Sequence, residues 1–358
     1  MNPSFRRPTV ADVARAAGVS TATVSRVLED SPKVAARTRD RVQDAMRAIG
    51  YYGNSQASQL VSGRAQTVGI ITSNTVAYGY ARTISGIENE ARQVGMAALI
   101  TVIESSSDRD VAAAVAAVAS HVLSGVVVVD FDAAAHATIP LIPSYLPVVS
   151  ATSPSYGPDT GRPYVAYDDH LGAKESVEHL IALGHTGIFV MAQPNNDPPE
   201  RRSVGAVDAL TEALLPHYPI VRCESWEPSS GYDACAQILD TYGDRVTAIV
   251  CPNDELALGA IRAIHDRGLR VPEDISITGF DDIPVAQYLS PSMTTVHQSF
   301  MELGRRSFRL LMDVVTAAEQ GDAGQPDPQI DLAQSLDPFL VVRESTAAPN
   351  PRRGPLAS

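Results

Sequence analysis

The chain has 358 residues, a net charge of −13, 44% hydrophobic residues and three cysteines. That length exceeds one small module and sets an expectation of two or three domains. No run approaches the ~18 apolar residues of a membrane span, the polar N-terminus has no signal-peptide core, and the cysteines (Cys223, Cys235, Cys251) lack metal-ligand spacing and read as buried thiols in a reducing cytoplasm.

Residues 9–28, TVADVARAAGVSTATVSRVL, read as two short amphipathic helices joined by a glycine turn. Thr9 is placed to cap the first helix with Asp12 three positions on. Val10, Val13, Ala14 and Ala17 share one face, and Gly18 ends the run. Ser20 is placed to cap the second helix, whose buried face is Val24, Val27 and Leu28. Thr21, Ala22, Ser25 and Arg26 are then left outward near the start of a helix that fits a DNA major groove. The segment is either a helix-turn-helix that reads DNA or two helices of an ordinary helical domain. A third helix is expected over residues 35–49, with Val42, Ala45, Met46 and Ile49 as its stripe and Gly50 as its stop. Residues 51–66, polar and short, read as a linker.

Charge favours the first alternative mildly. Through residue 66 there are ten Arg/Lys against five Asp/Glu, whereas the remainder holds eighteen against thirty-six. A basic head on an acidic body suits a DNA reader whose other part does something else.

From Thr67 the pattern becomes an alternation of short apolar strands and helices. Strands are expected at 67–72, 96–103, 125–130, 147–151, 164–169, 187–192, 220–223, 248–254, 275–282, 294–298 and 338–342. Helices are expected at 84–95, 111–123, 171–183, 204–215, 231–242, 255–268 and 300–318. Continuous apolar strands alternating with helices predict doubly wound parallel sheets covered on both faces, in two α/β lobes. Residues 347–358 read as a frayed tail.

Polar residues gather where strands end, at Asp130, Asp168–Asp169, Asn253–Asp254 and Asp281–Asp282. Open α/β sheets bind ligands outside the carboxyl ends of their strands, and carboxylates and amides there suit a polyhydroxylated ligand. Capping of the following helices is the competing reading. Trp226, the only tryptophan, either fills a core or stacks on a sugar face. His185 in LGHTGI reads as a turn residue, and Glu175 with His179 as a solvated helix pair. No G-x-S-x-G, P-loop, H-E-x-x-H or G-x-G-x-x-G motif occurs, so no enzyme, cofactor, catalytic residue or metal site is expected.

Three stretches resemble the LacI family of bacterial transcription repressors: residues 9–28, EHLIALGHTGI, and CPNDELALGAIRAIHDRGLRVPEDISITGFDDIPVA with the following MTTVHQSF. The resemblance implies a helix-turn-helix DNA-binding domain at 1–53, a hinge helix and linker at 54–66, and a periplasmic-binding-protein-like core at 67–346. Lobe 1 would take about 67–166 and 298–324, lobe 2 about 167–297 and 336–346, with crossovers near Ala166–Tyr167, His297–Gln298 and Gly324–Leu336. It places Thr21, Ala22 and Arg26 on base edges, and Thr9, Ser20, Ser25 and Asn54 on the DNA backbone. Leu60, in a hinge helix over 54–62, would be the wedge in the minor groove. Gly53 and Gln56 depart from the family pattern, implying a hinge helix that is either weaker or more dependent on DNA.

For the effector site the resemblance implies Arg202, Asn253 and Asp281 as polar anchors, Trp226 and Phe300 as walls, and Ser73, Asp130 and Gln298 in support. Thr152 stands where the family has a further aspartate. The expected partners are double-stranded operator DNA, a small sugar such as a galactoside, and a second copy in a homodimer, with no membrane. The protein would act in the cytoplasm, at the nucleoid when on its operator. A purine or phosphosugar corepressor and a sugar-responsive activator are the alternatives.

Overall fold

Three helices build the head: Val10–Ala17, Thr21–Leu28 and Ala36–Ile49. The computed structural model describes residues 8–28, 31–51, 65–152, 161–194, 201–320 and 330–353. Thr9 opens the first helix with a capping box, its side chain accepting from the Asp12 N–H while Asp12 accepts the Thr9 N–H at 2.9 Å. Gly18 closes it at φ +61°, the left-handed region where a Cβ is strained. Ser20 Oγ accepts the Thr23 N–H at 3.1 Å and starts the second helix. The apolar faces meet around Val13, Ala17, Val24, Val27, Val42 and Tyr51. Leu28 departs from the expected face: it ends its helix, outside this cluster, and is 42% exposed.

Residues 67–358 form a separate unit. The strands, in chain order, are β1 (Thr67–Thr72), β2 (Ala97–Val102), β3 (Gly125–Asp130), β4 (Val148–Thr152), β5 (Tyr164–Tyr167), β6 (Ile188–Ala192), β7 (Val221–Arg222), β8 (Ala248–Val250), β9 (Ser276–Asp281), β10 (Thr294–His297), β11 (Ala333–Leu336) and β12 (Phe339–Val341). Among the described residues they make two sheets, ordered β11-β5-β4-β3-β1-β2 and β12-β10-β9-β8-β6-β7. Every pair in the first sheet is parallel. The second is parallel except at its edge, where β12 runs antiparallel to β10.

Alternation along a strand divides its side chains between two cores. Val127 and Val129 of β3 join one cluster and Val126 and Val128 the other, on opposite faces of the first sheet. Phe189 and Met191 part from Ile188 and Val190 in the same way across β6. This two-faced burial is why both strands read as unbroken apolar runs.

Helix Phe300–Gln320 packs on the first sheet through Leu303, Phe308, Leu310 and Leu311. The chain passes between sheets at Asp168, at Gln298–Ser299 and at Asp337–Pro338. The third passage falls later than the expected 324–336 because Ala333–Leu336 forms an edge strand on β5. That strand carries Gln334 and Ser335, too polar to stand out in sequence.

The segment expected to fray from residue 347 is tied down through residue 353. Ala347 accepts from His185 Nε2 at 2.8 Å and donates to Ser276 Oγ at 3.1 Å. Asn350 donates to Asp274 at 2.9 Å, and Arg353 donates to the carbonyls of Val246 and Gly243. His179 meets Thr346 Oγ1 at 2.9 Å instead of pairing with Glu175. Cys223, Cys235 and Cys251 are buried thiols, as expected, and burial pushes the first two up to about 12. No described helix is long and apolar enough to cross a membrane.

Candidate functional site

On the head, Thr21, Ala22 and Arg26 are exposed on one side of the second helix and Ser25 is half-buried beside them. Val24 and Val27 hold that helix by its opposite face, so the outward residues stand on a fixed support. Thr9 and Ser20, also exposed, are both engaged as helix caps. Asn54, Leu60 and the expected hinge helix lie outside the described residues.

In the larger unit the carboxyl ends of both sheets converge on a cavity of about 590 Å³. The order 2-1-3-4-5 within each sheet reverses direction between its first and third strands, where ligands of such folds bind. The loops leaving β1 and β3 bring Ser73, Phe131 and Asp132 to the cavity. Those leaving β6 and β8 bring Gln193, Asn253 and Glu255.

Arg202, near the start of helix Arg201–Glu212, organises one wall. Its Nε reaches Asp169 Oδ2 at 3.1 Å, Nη1 donates to the Pro252 carbonyl, and Nη2 lies 3.4 Å from both Gln298 Oε1 and Asp281 Oδ1. Its guanidinium carbon stands 3.8 Å over the Phe280 ring. Gln298 Nε2 closes the lattice by donating to Asp169 Oδ1 at 2.6 Å. A buried carboxylate needs such compensation, and Asp169 is 2% exposed.

Asp281 ends β9 at φ +98°, a left-handed conformation that turns its carboxyl into the cavity wall. Burial pushes it up to about 7 against the pull of Arg202, with Glu255 and Asp169 pushing the same way. Asn253 caps helix Asp254–Asp266 through the Leu256 N–H at 2.8 Å and donates to Glu255 at 2.9 Å. Asp254 is fully buried and has a structural task. It accepts from the Thr295 hydroxyl at 2.6 Å and the Ile283 N–H at 2.8 Å, fastening the loop after Asp281, while burial raises its carboxyl well above the usual range.

The opposite wall is aromatic. Phe300, 7% exposed, meets Tyr78, Phe131 and Tyr167 edge to face at centroid distances of 6.0, 5.9 and 6.4 Å. Trp226, 41% exposed, lines the cavity mouth from a loop of the second lobe.

Of the residues singled out in sequence, Arg202, Asn253, Asp281, Trp226, Phe300, Ser73 and Gln298 border this one cavity. Asp130 does not. It is buried beneath the lining, where its Oδ2 is shared by His136 Nδ1 at 3.1 Å and Thr152 Oγ1 at 3.2 Å, and burial raises its carboxyl. Two residues on, Asp132 reaches the cavity in its place, because the last residue of β3 points into the sheet's cover while the chain then turns outward. Tyr78, Tyr80 and Phe131 were missed as well. The signal available was aromatic residues just past strand ends, where a core needs none. Asp169 was noticed in a strand-end cluster without being joined to Arg202, since its partner lies 33 positions on.

Comparison with known proteins follows this division. Residues 9–54 match the model described as bacterial regulatory proteins, lacI family, and residues 177–346 match a periplasmic binding protein-like domain. The chain is 33% identical over 349 residues to the lactose operon repressor of Escherichia coli (strain K12), covering 96% of this chain and 91% of that one. It is 31% identical over 341 residues to the transcriptional repressor PurR of Haemophilus influenzae, covering 94% and 98%. The solved lac repressor dimer bound to operator and the anti-inducer ONPF superposes with a TM-score of 0.82 at 30% identity, over 96% of this chain and all of that one. These relatives are transcriptional regulators and not enzymes. With a helix-turn-helix head, a two-lobed core and homology along nearly its whole length, the chain belongs to the lacI family of DNA-binding transcriptional repressors.

Proposed function

We propose that the protein represses transcription as a dimer on a palindromic operator and is released by a small sugar, a galactoside or related glycoside, bound between the core lobes. The observation that carries the reading is the cavity: one wall is a lattice of paired carboxylates, amides and a guanidinium, the other is aromatic. Polar groups for hydroxyls and rings for the C–H faces of a sugar are what such a ligand asks of its site. Arg202 is already engaged by Asp169, the Pro252 carbonyl and Gln298, while Asp132, Glu227 and Glu255 add negative charge to the lining. That balance favours a neutral polyol over a phosphate.

At the DNA end, Thr21, Ala22 and Arg26 read base edges, a bidentate arginine–guanine pair carrying ~1–3 kcal/mol of discrimination. Thr9, Ser20, Ser25 and Asn54 position the head on phosphates. Residues 1–53 form this reader, 54–66 the hinge with Leu60 as the minor-groove wedge, and 67–346 the effector core. The sugar acts by binding one arrangement of the lobes more tightly than the other. A coupling of ~3 kcal/mol lowers operator affinity about a hundredfold. The site of action is the cytoplasm, at the nucleoid when on the operator.

A thermal-shift screen with mono- and disaccharides, sugar phosphates and purines tests the ligand class. Stabilisation by a neutral glycoside, lost in Arg202→Ala, is expected. A shift from purines or sugar phosphates alone sinks it. For the head, Arg26→Ala is expected to relax base preference at one position per half-site in binding to randomised operators. Uniform weakening on all sequences would instead make Arg26 a phosphate contact.

A further inference from the structure

Asp132 stands two residues beyond β3 with its carboxylate on the cavity. Oδ1 accepts the Ala135 N–H at 2.9 Å. Oδ2 accepts the Tyr80 hydroxyl at 2.6 Å and the Ser73 hydroxyl as well. A hydroxyl owns one proton and two lone pairs, so Ser73 and Tyr80 have both spent their protons on Asp132. Thr152, in the same lining, spends its own on Asp130. What Ser73 and Asp132 offer a guest is therefore lone pairs: those of the serine hydroxyl oxygen and the remaining site on the carboxylate. The charged donor of the cavity, Arg202, is held in the opposite wall.

We propose that Asp132, Ser73 and Tyr80 form a subsite that reads hydrogen-bond donors, taking two adjacent hydroxyls of a sugar ring, with Asp132 setting which ring orientation is accepted. The subsite rests on the carbohydrate reading of the cavity and sharpens it. A carbonyl, carboxylate or phosphate placed here meets lone pairs with lone pairs and loses its water without replacement. A hydroxyl pair donates to the carboxylate and to Ser73 Oγ. Charge on the acceptor makes the first bond the stronger. The Phe131 and Tyr80 rings, edge to face at a centroid distance of 5.0 Å, supply an apolar surface beside it for the ring's C–H face. The cavity volume of about 590 Å³ equals some twenty waters at ~30 Å³ each. That suits a disaccharide, with one ring on the Arg202 lattice and the other on this subsite.

The test is calorimetric titration of the full chain with lactose, cellobiose and their single-deoxy analogues. Asp132→Asn keeps the shape and caps a helix about as well as aspartate, so the melting temperature should hold. Its affinity for the disaccharide that binds should fall about tenfold, the scale of one hydrogen bond to a charged group. One deoxy analogue should bind the wild type about tenfold more weakly and Asp132→Asn no more weakly than the parent sugar, which marks a direct contact. Tyr80→Phe, which retains the ring, should weaken binding at least about threefold. Unchanged affinity in both variants, or equal deoxy penalties in wild type and Asp132→Asn, overturns the subsite and leaves the carbohydrate reading standing. Binding of hypoxanthine or a hexose phosphate with no response to any disaccharide overturns both.

Discussion

From one edge the first sheet runs β2-β1-β3-β4-β5 and the second β7-β6-β8-β9-β10, so the two lobes share a winding. Equivalent loops carry different chemistry. After the first strand stands Ser73 in one lobe and Gln193 in the other; past the third strand stand Asp132 and Asn253. The second lobe's wall is a closed lattice around Arg202, with buried charge balanced by buried charge. The first lobe's wall is rings packed on Phe300 with hydroxyls turned onto one carboxylate. A shared scaffold therefore fixes where the cavity lies, and loop residues give each wall its chemistry.

The sharpest way to break this contrast is Arg202→Ala. Removing the cation leaves the Asp169 carboxylate buried with no guanidinium beside it, and about 3–5 kcal/mol of stability should be lost in denaturant unfolding. A loss below about 1 kcal/mol would mean the lattice is not electrostatic. Phe300→Ala probes the other wall. It deletes the ring shared by Tyr78, Phe131 and Tyr167 and should cost about 3 kcal/mol, mostly in packing. A cost as small as for an exposed residue would show that the ring only faces solvent.

Cutting the chain after Thr346 removes the hydrogen bonds of Ala347, Asn350 and Arg353 to the second lobe. At about 1 kcal/mol each before compensation by water, unfolding of that lobe should become easier by about 2 kcal/mol. Hydrogen exchange should locate the change in the second sheet; a change confined to the first would contradict the contacts. A further effect is a slope with pH. Burial pushes the Asp281 carboxyl up to about 7 from its ordinary 3.8, so the native state holds the extra proton between those values. Stability from this group is present at low pH and falls as pH rises from about 4 to 7. Asp281→Asn should flatten that part of the melting-temperature profile, and an unchanged slope would assign it to other groups.

Local pattern carried much of the fold. Thr9, Gly18 and Ser20 announce their helix ends because caps are local interactions. The valines of β3 announce a strand covered on both faces because burial leaves no polar positions. Edge strand β11 was not legible, since half of its residues are polar, and the antiparallel turn of β12 depends on where the chain crosses between sheets. That Arg202, Asn253 and Asp281 come together on one cavity was legible through the family likeness. Asp132 was not, because sequence shows a carboxylate near a strand end and not which of two, Asp130 or Asp132, the turn exposes. The tail was misjudged for a related reason: its anchors at His185, Ser276 and Val246 are all distant in sequence.

The passages between the lobes have a mechanical consequence. Asp169 comes one residue after the passage at Asp168, and Gln298 lies within the second; the two are bonded to each other at 2.6 Å and both touch Arg202. In a pair of tongs this is the rivet and not the tips. A displacement at Arg202 would act on a short lever arm, so that a slight shift there would carry the far ends of both jaws through a much longer arc.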